Sequence, residues 1–270
     1  MGTVKTPAFD LAAYCKRAGY LRSAAPDLET LAGLSECHAR SIPYEDLEIH
    51  LGREMSLESE DLQRLMVARN RGGYCFQMNL LFAEALEAVG FNVSLLQGRV
   101  WLTSRGAVPP PSHLVLRVEL ATEPWLVDVG FGGGGLRRPI RMQAGEESFQ
   151  GERQYRLRDD ARYGLMLERR DEGNWVSQYS FDQRRCDRVD FLHSNYFLSN
   201  SQESFFVQNR VCAIATELGE TTLFNRTIRV REGDEVVDTK PESGSQFAEL
   251  LSEHFGIDLV PTDVESLWPS

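Results

Sequence analysis

Near Gly90 the hydrophobic period of the chain changes from helical to extended, and that one change restricts the fold to helices packed beside a sheet. Upstream, Asp10 stands as the N-cap of a helix over Leu11–Ala18 that Gly19 terminates. A second helix begins after Asp27, carries Leu28, Leu31 and Leu34 on one face, and stops before Pro43. A third covers about Glu60–Arg69 with Leu62, Leu65 and Met66 facing inward, and a fourth runs from Cys75 to Gly90. Downstream, Asn92–Trp101 has strand-like density of β-branched residues, and His113–Leu120 alternates, with Leu114, Leu116, Val118 and Leu120 on one face. Trp125–Val129 follows after a short turn, which predicts an antiparallel hairpin. Tyr163–Glu168 and Trp175–Phe181 form a second hairpin across Asp171-Glu172-Gly173-Asn174. The segment Thr103–Ser112 contains Pro109-Pro110-Pro111 and reads as a loop. Past Asp187 the elements mix: a helix near Phe191–Asn200, strands near Phe206–Ala213 and Thr221–Val230, and a closing helix over Gln246–Phe255. No repeat or low-complexity linker interrupts this order. Helices, then sheet, then a mixed tail is an α+β arrangement packed as one unit.

Composition narrows the function classes. At 42% hydrophobic and 26% charged residues, the 270-residue chain can bury a sizeable core. Its net charge of −11 repels a phosphate backbone, which argues against nucleic acid as a partner. An anionic small molecule must instead be held by local donors. Cys15, Cys37, Cys75, Cys186 and Cys212 are odd in number, widely spaced and lack any C-x-x-C pair, so neither a disulfide framework nor a metal site is indicated. The chain opens without an apolar signal region and has no 18-residue apolar run. A reducing, cytoplasmic setting with no membrane partner is the expectation.

The stretch Arg71-Gly72-Gly73-Tyr74-Cys75-Phe76 carries the most chemical information. Two glycines permit a tight turn directly before a helix and set Cys75 at its N-terminus. The positive end of the helix dipole stabilises a thiolate there and lowers its pKa. A lone cysteine ordinarily packs as a small apolar residue, as the other four are expected to do. The turn argues that Cys75 is presented instead. A thiolate nucleophile needs a base, and the base needs an orienting acceptor. His113 opens one strand of the first hairpin and Asp128 lies near the end of the other, so the two meet if the turn falls near Ala121–Thr122. An aspartate inside Trp125-Leu126-Val127-Asp128-Val129 requires a partner. His38, His50, His193 and His254 read as surface or satisfied structural residues. Gly130-Phe131-Gly132-Gly133-Gly134-Gly135 matches the G-x-G-x-x-G pattern, but Leu136-Arg137-Arg138-Pro139 follows in place of a helix, so the dinucleotide context fails. What remains is a run of bare backbone N–H groups beside Asp128, able to approach an anion or an acyl oxygen.

Cysteine in R-G-G-Y-C-F, histidine in S-H-L-V-L and aspartate in V-D-V-G-F-G, in that order, closely resemble the arylamine N-acetyltransferase family. The likeness continues through Ile42-Pro43-Tyr44-Glu45-Asp46-Leu47, Asn195-Tyr196-Phe197-Leu198-Ser199 and His254-Phe255-Gly256-Ile257. It implies an α+β fold with an N-terminal helical bundle (1–90), a central antiparallel β-barrel (91–186) and a C-terminal α/β lid (187–270), around a triad core like that of papain and transglutaminases. It implies ping-pong transfer from acetyl-CoA through acetyl-Cys75 to an arylamine, hydrazine or N-hydroxyarylamine, with His113 as base and Asp128 orienting it. By position Tyr44, Phe131 and Phe206 resemble the aromatic lining of the acceptor pocket. Coenzyme A is expected against Gly132, Gly133, Gly134 and Ser204, with no metal; Arg71 is expected to support the turn, and a homodimer is left open. Three departures stand out: Gln77 in place of glutamate, Asp46 in place of asparagine, and Asn200-Ser201-Gln202 in place of a T-H-P-like stretch. Within the same chemistry, an amide synthase that moves a polyketide or other acyl group is the second reading.

Overall fold

The computed structural model describes residues 9–268 apart from 103, 105 and 122. Helix α1 (Leu11–Ala18) starts where Asp10 accepts from the Ala13 N–H at 2.9 Å and ends at Gly19, whose φ is +76°. Helix α2 (Leu28–Ser41) is capped in the same way by Asp27 on the Thr30 N–H. Leu31 and Leu34 are fully buried, but Leu28 is 44% exposed because it occupies the first helical position, outside the packed turns. A two-residue strand β1 (Tyr44–Glu45) and a single turn α3 (Leu47–His50) follow. The expected third helix is α4 (Ser59–Leu62) continued by a wider, π-helical run over Gln63–Ala68. Helix α5 (Cys75–Val89) is buried on nearly every side and closes at Gly90.

The central sheet has eight strands: β2 (Asn92–Val100), β3 (His113–Leu120), β4 (Glu123–Val127), β5 (Ile140–Arg141), β6 (Glu147–Gln150), β7 (Arg153–Asp160), β8 (Gly164–Asp171) and β9 (Asn174–Cys186). All neighbours are antiparallel, in the order β5-β4-β3-β2-β9-β8-β7-β6. An isolated bridge from Ala144 to Leu157 brings the two ends of this order together, so the barrel is nearly closed. In the first hairpin Leu116 pairs with Val127 and Leu120 with Glu123. Ala121, with a φ of +54°, begins the turn, and Thr122 lies outside the described residues. Strand β7 escapes sequence reading because its string RQYRLRDD is mostly charged and turns only Tyr155 and Leu157 inward.

Beyond the barrel come α6 (Leu192–Asn200), α7 (Phe205–Gln208), β10 (Val211–Ala215), β11 (Gly219–Phe224), β12 (Thr227–Glu232), β13 (Glu235–Thr239), α8 (Gly244–Phe255) and α9 (Pro261–Leu267). Two expectations are corrected. The stretch Phe206–Ala213 begins as a helical turn that Ser204 caps, and its strand starts only at Val211. Thr221–Val230 is two strands, because Asn225 takes a φ of +55° and folds the run into a hairpin.

Three apolar cores result. One packs the helices against a face of β2–β4, one fills the barrel around Tyr155, Tyr179 and Phe181, and one joins Leu47 to β10–β12 and α8. The second sheet runs β1-β10-β11-β12-β13, so Tyr44 and Glu45 pair with Ala213 and Cys212 far along the chain. Just after β1, the buried Asp46 accepts from the Val211 N–H at 2.9 Å, while its other oxygen has no hydrogen-bond partner and lies 4.0 Å from His50. Burial, and then Glu45, push its carboxyl well above the usual range against the pull of Val211. Such a group holds its proton longer folded than unfolded, so its contribution is full below the unfolded pKa and is lost as pH rises. Asp46→Asn keeps the Val211 contact and cannot ionise. Denaturant unfolding should show a gain of about 1–3 kcal/mol at alkaline pH that shrinks towards pH 4; a gain independent of pH would refute this account.

Candidate active site

Cys75 is the first residue of α5, after a turn that only glycine allows. A Cβ at Gly72 would lie 1.9 Å from the Pro43 carbonyl oxygen, and Gly73 pairs with Tyr44 across an isolated bridge. Arg71 fixes this turn from within. Its guanidinium donates to both Glu45 oxygens (2.9 and 3.0 Å) and to Glu48 (2.7 Å), and Glu45 accepts from the Gly72 N–H at 3.1 Å. Arg17 holds it from outside, with donors on the carbonyls of Ser41, Met66, Asn70 and Arg71.

The thiol is 3% exposed and lies 3.7 Å from the Ser112 carbonyl, immediately before His113. His113 Nε2 is 2.7 Å from Asp128 Oδ2, which leaves Nδ1 as the other ring nitrogen. The imidazole faces Gly98 across the β2–β3 pairing and packs between Phe131 (centroids 5.4 Å) and Tyr179 (5.0 Å). Asp128 is itself almost fully buried, and its Oδ1 accepts from Asn79 Nδ2 and from the Gly130 N–H, each at 2.9 Å. Asn79 also donates to the Leu114 carbonyl and accepts from the Val129 N–H. It is one helical turn past Cys75 on the same face, so a single residue ties the helix to both strands of the hairpin.

Sequence reasoning missed Asn79, Tyr179 and Arg17. A polar residue in the otherwise apolar run Leu80–Phe82 and Phe76 was a signal for the first; nothing in the local pattern marks Tyr179. The expected aromatic residues do gather around the same place. Tyr44 lies against Gly132, Phe131 against His113, and Phe206 meets Tyr74 edge to face at 5.4 Å. Tyr74 is anchored in turn on Asn195 of α6.

Electrostatics differ from the expectation. Burial pushes the Cys75 thiol above its ordinary value and the Asp128 carboxylate raises it further, while the N–H groups of Phe76 and of Cys75 pull the other way. The helix dipole is thus the weaker side of the balance, and an isolated thiolate is disfavoured here. The expected coenzyme contacts are also altered. Gly134 donates its N–H to Glu220 at 3.0 Å, so it is not bare. Ser204 is 1% exposed, donates to the Leu198 carbonyl and caps α7. Only Gly132 and Gly133 keep amides outside these bonds. Among the described residues no group of three or more His, Cys, Asp or Glu could hold a metal ion, and no helix is long and apolar enough to cross a membrane.

Known proteins with this layout identify it. A family model described as N-acetyltransferase matches residues 27–264. The arylamine N-acetyltransferase of Mycolicibacterium smegmatis is 35% identical over 259 residues, covering 93% of each chain. The arylamine N-acetyltransferase / N-hydroxyarylamine O-acetyltransferase of Salmonella typhimurium is 34% identical over 86% of this chain and 83% of its own. A Mycobacterium marinum arylamine N-acetyltransferase solved in complex with CoA superposes with a TM-score of 0.89 at 30% identity, covering 96% of this chain and 98% of that one. The chain belongs to the arylamine N-acetyltransferase family. Its members are acyltransferases, and this chain is one of them.

Gln77, a departure within the family, now has a structural account. Its amide donates to the Ser56 carbonyl at 3.1 Å, beside Glu48 and Arg53 and away from the imidazole. Asn79→Leu keeps the side-chain shape, strands the Val129 N–H and removes one of the two donors on Asp128 Oδ1. Thermal unfolding should show a loss of about 1–3 kcal/mol, and acyl transfer should fall on the order of 10–100-fold; a stable variant with full activity would remove Asn79 from the site.

Proposed function

We propose that this protein transfers the acetyl group of acetyl-CoA to arylamines, hydrazines and N-hydroxyarylamines through an acetyl-Cys75 intermediate. One observation carries the reading: a buried cysteine at a helix start lies 3.7 Å from the Ser112 carbonyl, and the next residue, His113, is held at 2.7 Å by a buried carboxylate. Family membership and the CoA complex of the M. marinum relative support the donor. In this reading the bundle 1–90 supplies the nucleophile, the barrel 91–186 the base and its orienting acid, and 187–270 the lid, in the cytoplasm.

The chemistry follows from the charges. The Cys75 proton passes to His113 Nδ1, and Asp128 on Nε2 stabilises the imidazolium so formed. Thiolate and imidazolium arise together, which offsets the burial that opposes a lone thiolate. The sulfur attacks the thioester carbonyl, the C–S bond to CoA breaks, and the leaving thiolate takes the proton back from His113. A neutral arylamine then attacks acetyl-Cys75, gives its N–H proton to His113 and leaves the acetamide, and Cys75 is reprotonated. Tyr44, Phe131 and Phe206 form aromatic walls that suit an aryl ring. CoA is taken along Gly132 and Gly133, with Ser204 acting by ordering α7 beneath Phe206.

Incubation with acetyl-CoA and no amine should add one acetyl group, located on the Cys75 peptide by mass spectrometry. Cys75→Ala should add none. Asp128→Asn should slow loading on the order of 10²–10⁴-fold, because an amide stabilises the imidazolium poorly. Acetyl found on another cysteine, or loading indifferent to Asp128, would overturn the assignment.

A further inference from the structure

The glycine turn that follows Asp128 is not a free loop, and the residue that holds it comes from the other sheet. Glu220, on β11, is 17% exposed in its side chain. Its Oε2 accepts the Gly134 N–H at 3.0 Å, and its Oε1 is 2.6 Å from Arg153 of β7 and 3.3 Å from Arg231 of β12. On the opposite side of the turn, the Tyr155 hydroxyl donates to the Gly134 and Gly135 carbonyls, at 3.0 Å each. Gly134 has a φ of +89°, a backbone shape that glycine takes without strain, and the Arg169 guanidinium lies beside it. The turn closes on itself through Gly135 N–H to Gly132 O, with Gly135 against the Cβ of Phe131. Phe131 in turn packs on the His113 ring.

We infer that Glu220 is a positioning residue for the acceptor step: by clamping the glycine turn between the barrel and the second sheet, it sets Phe131 as the wall against which the arylamine is oriented. The inference rests on the acetyltransferase reading and adds a residue that contacts neither Cys75 nor His113. Its charge is well compensated. Burial alone would raise the carboxyl, yet Arg153, Arg231 and the Gly134 amide hold it below the ordinary range, so it is ionised throughout the neutral region. The thiol and imidazole are held by other contacts, through Asp128 and Asn79. Loosening the clamp should therefore spare the nucleophile and harm the transfer.

The test compares wild type, Glu220→Ala, Glu220→Gln and Arg153→Met by two readouts: the rate of iodoacetamide alkylation at Cys75, and kcat and KM for an arylamine with acetyl-CoA saturating. Glu220→Ala should raise the acceptor KM and lower kcat/KM on the order of 10–100-fold, while alkylation stays within about twofold. Glu220→Gln should lose less, since its amide oxygen still accepts the Gly134 N–H. Arg153→Met should shift the same parameter, and adding it to Glu220→Ala should do little more, as expected of one network. Wild-type acceptor kinetics in Glu220→Ala, even with a lowered Tm, would reduce Glu220 to a structural role and overturn the inference. An equal fall in alkylation and transfer would overturn it too, by showing damage to the nucleophile. If Glu220→Ala does not fold, Glu220→Gln and Arg153→Met carry the same comparison. A wild-type protein that transfers no acetyl group would instead refute the function on which the inference stands.

Discussion

Near the thiol a carboxyl group is held by hydrogen bonds with almost no contact to water. Asp128 is 2% exposed, and three donors from three different elements meet it: Asn79 from α5, the Gly130 amide from the glycine turn, and the His113 ring from β3. A buried charge survives only where hydrogen bonds replace its hydration. These hydrogen bonds add one directed link between the helical layer and the barrel to the apolar core that packs them together. Removing any one donor leaves the buried carboxyl with fewer partners, so the site and the contact between layers are linked in this fold.

The same carboxylate explains how reactivity is stored. Placed near a buried sulfur it opposes a lone thiolate, as burial does. It also lies 2.7 Å from Nε2 of the imidazole. In the proposed mechanism the sulfur's charge is coupled to the ring's, and the nucleophile acts as half of an ion pair. Around that pair the sequence spends its rigid parts. Arg17 and Arg71 with Glu45 and Glu48 hold the turn before Cys75, and Tyr155 and Glu220 hold the turn after Asp128.

Local periodicity made much of this legible. Helix α1 and strand β3 have the bounds that Asp10, Gly19 and the alternation of Leu114–Leu120 indicate. The hairpin follows from two apolar runs, but its register was open to a residue or two until the structure paired Leu120 with Glu123, which brings His113 to Asp128. What could not be read depends on partners distant in sequence. Asn79 is one polar letter in an apolar helix until the hairpin is laid against it. Glu220 and Gly134 are 86 positions apart, and nothing in either neighbourhood announces the other. Ser204 reads in sequence as a residue in reach of coenzyme A; its burial and its cap on Phe206 became visible only once α7 replaced the expected strand. The run Thr221–Val230 misled for a simpler reason: Asn225 takes a positive φ that no pattern of apolar residues reports.

The central claim, that the thiolate of Cys75 exists only in partnership with His113, can be put to a direct measurement. Thiolate ultraviolet absorbance, taken as the difference from a Cys75→Ser variant, is followed against pH for the wild type and for His113→Gln. The account predicts a thiolate signal near neutral pH in the wild type. In His113→Gln the signal should appear only above the ordinary thiol value of about 8.5. A neutral-pH thiolate that persists without the imidazole would contradict the account, and so would a wild-type signal confined to the alkaline range.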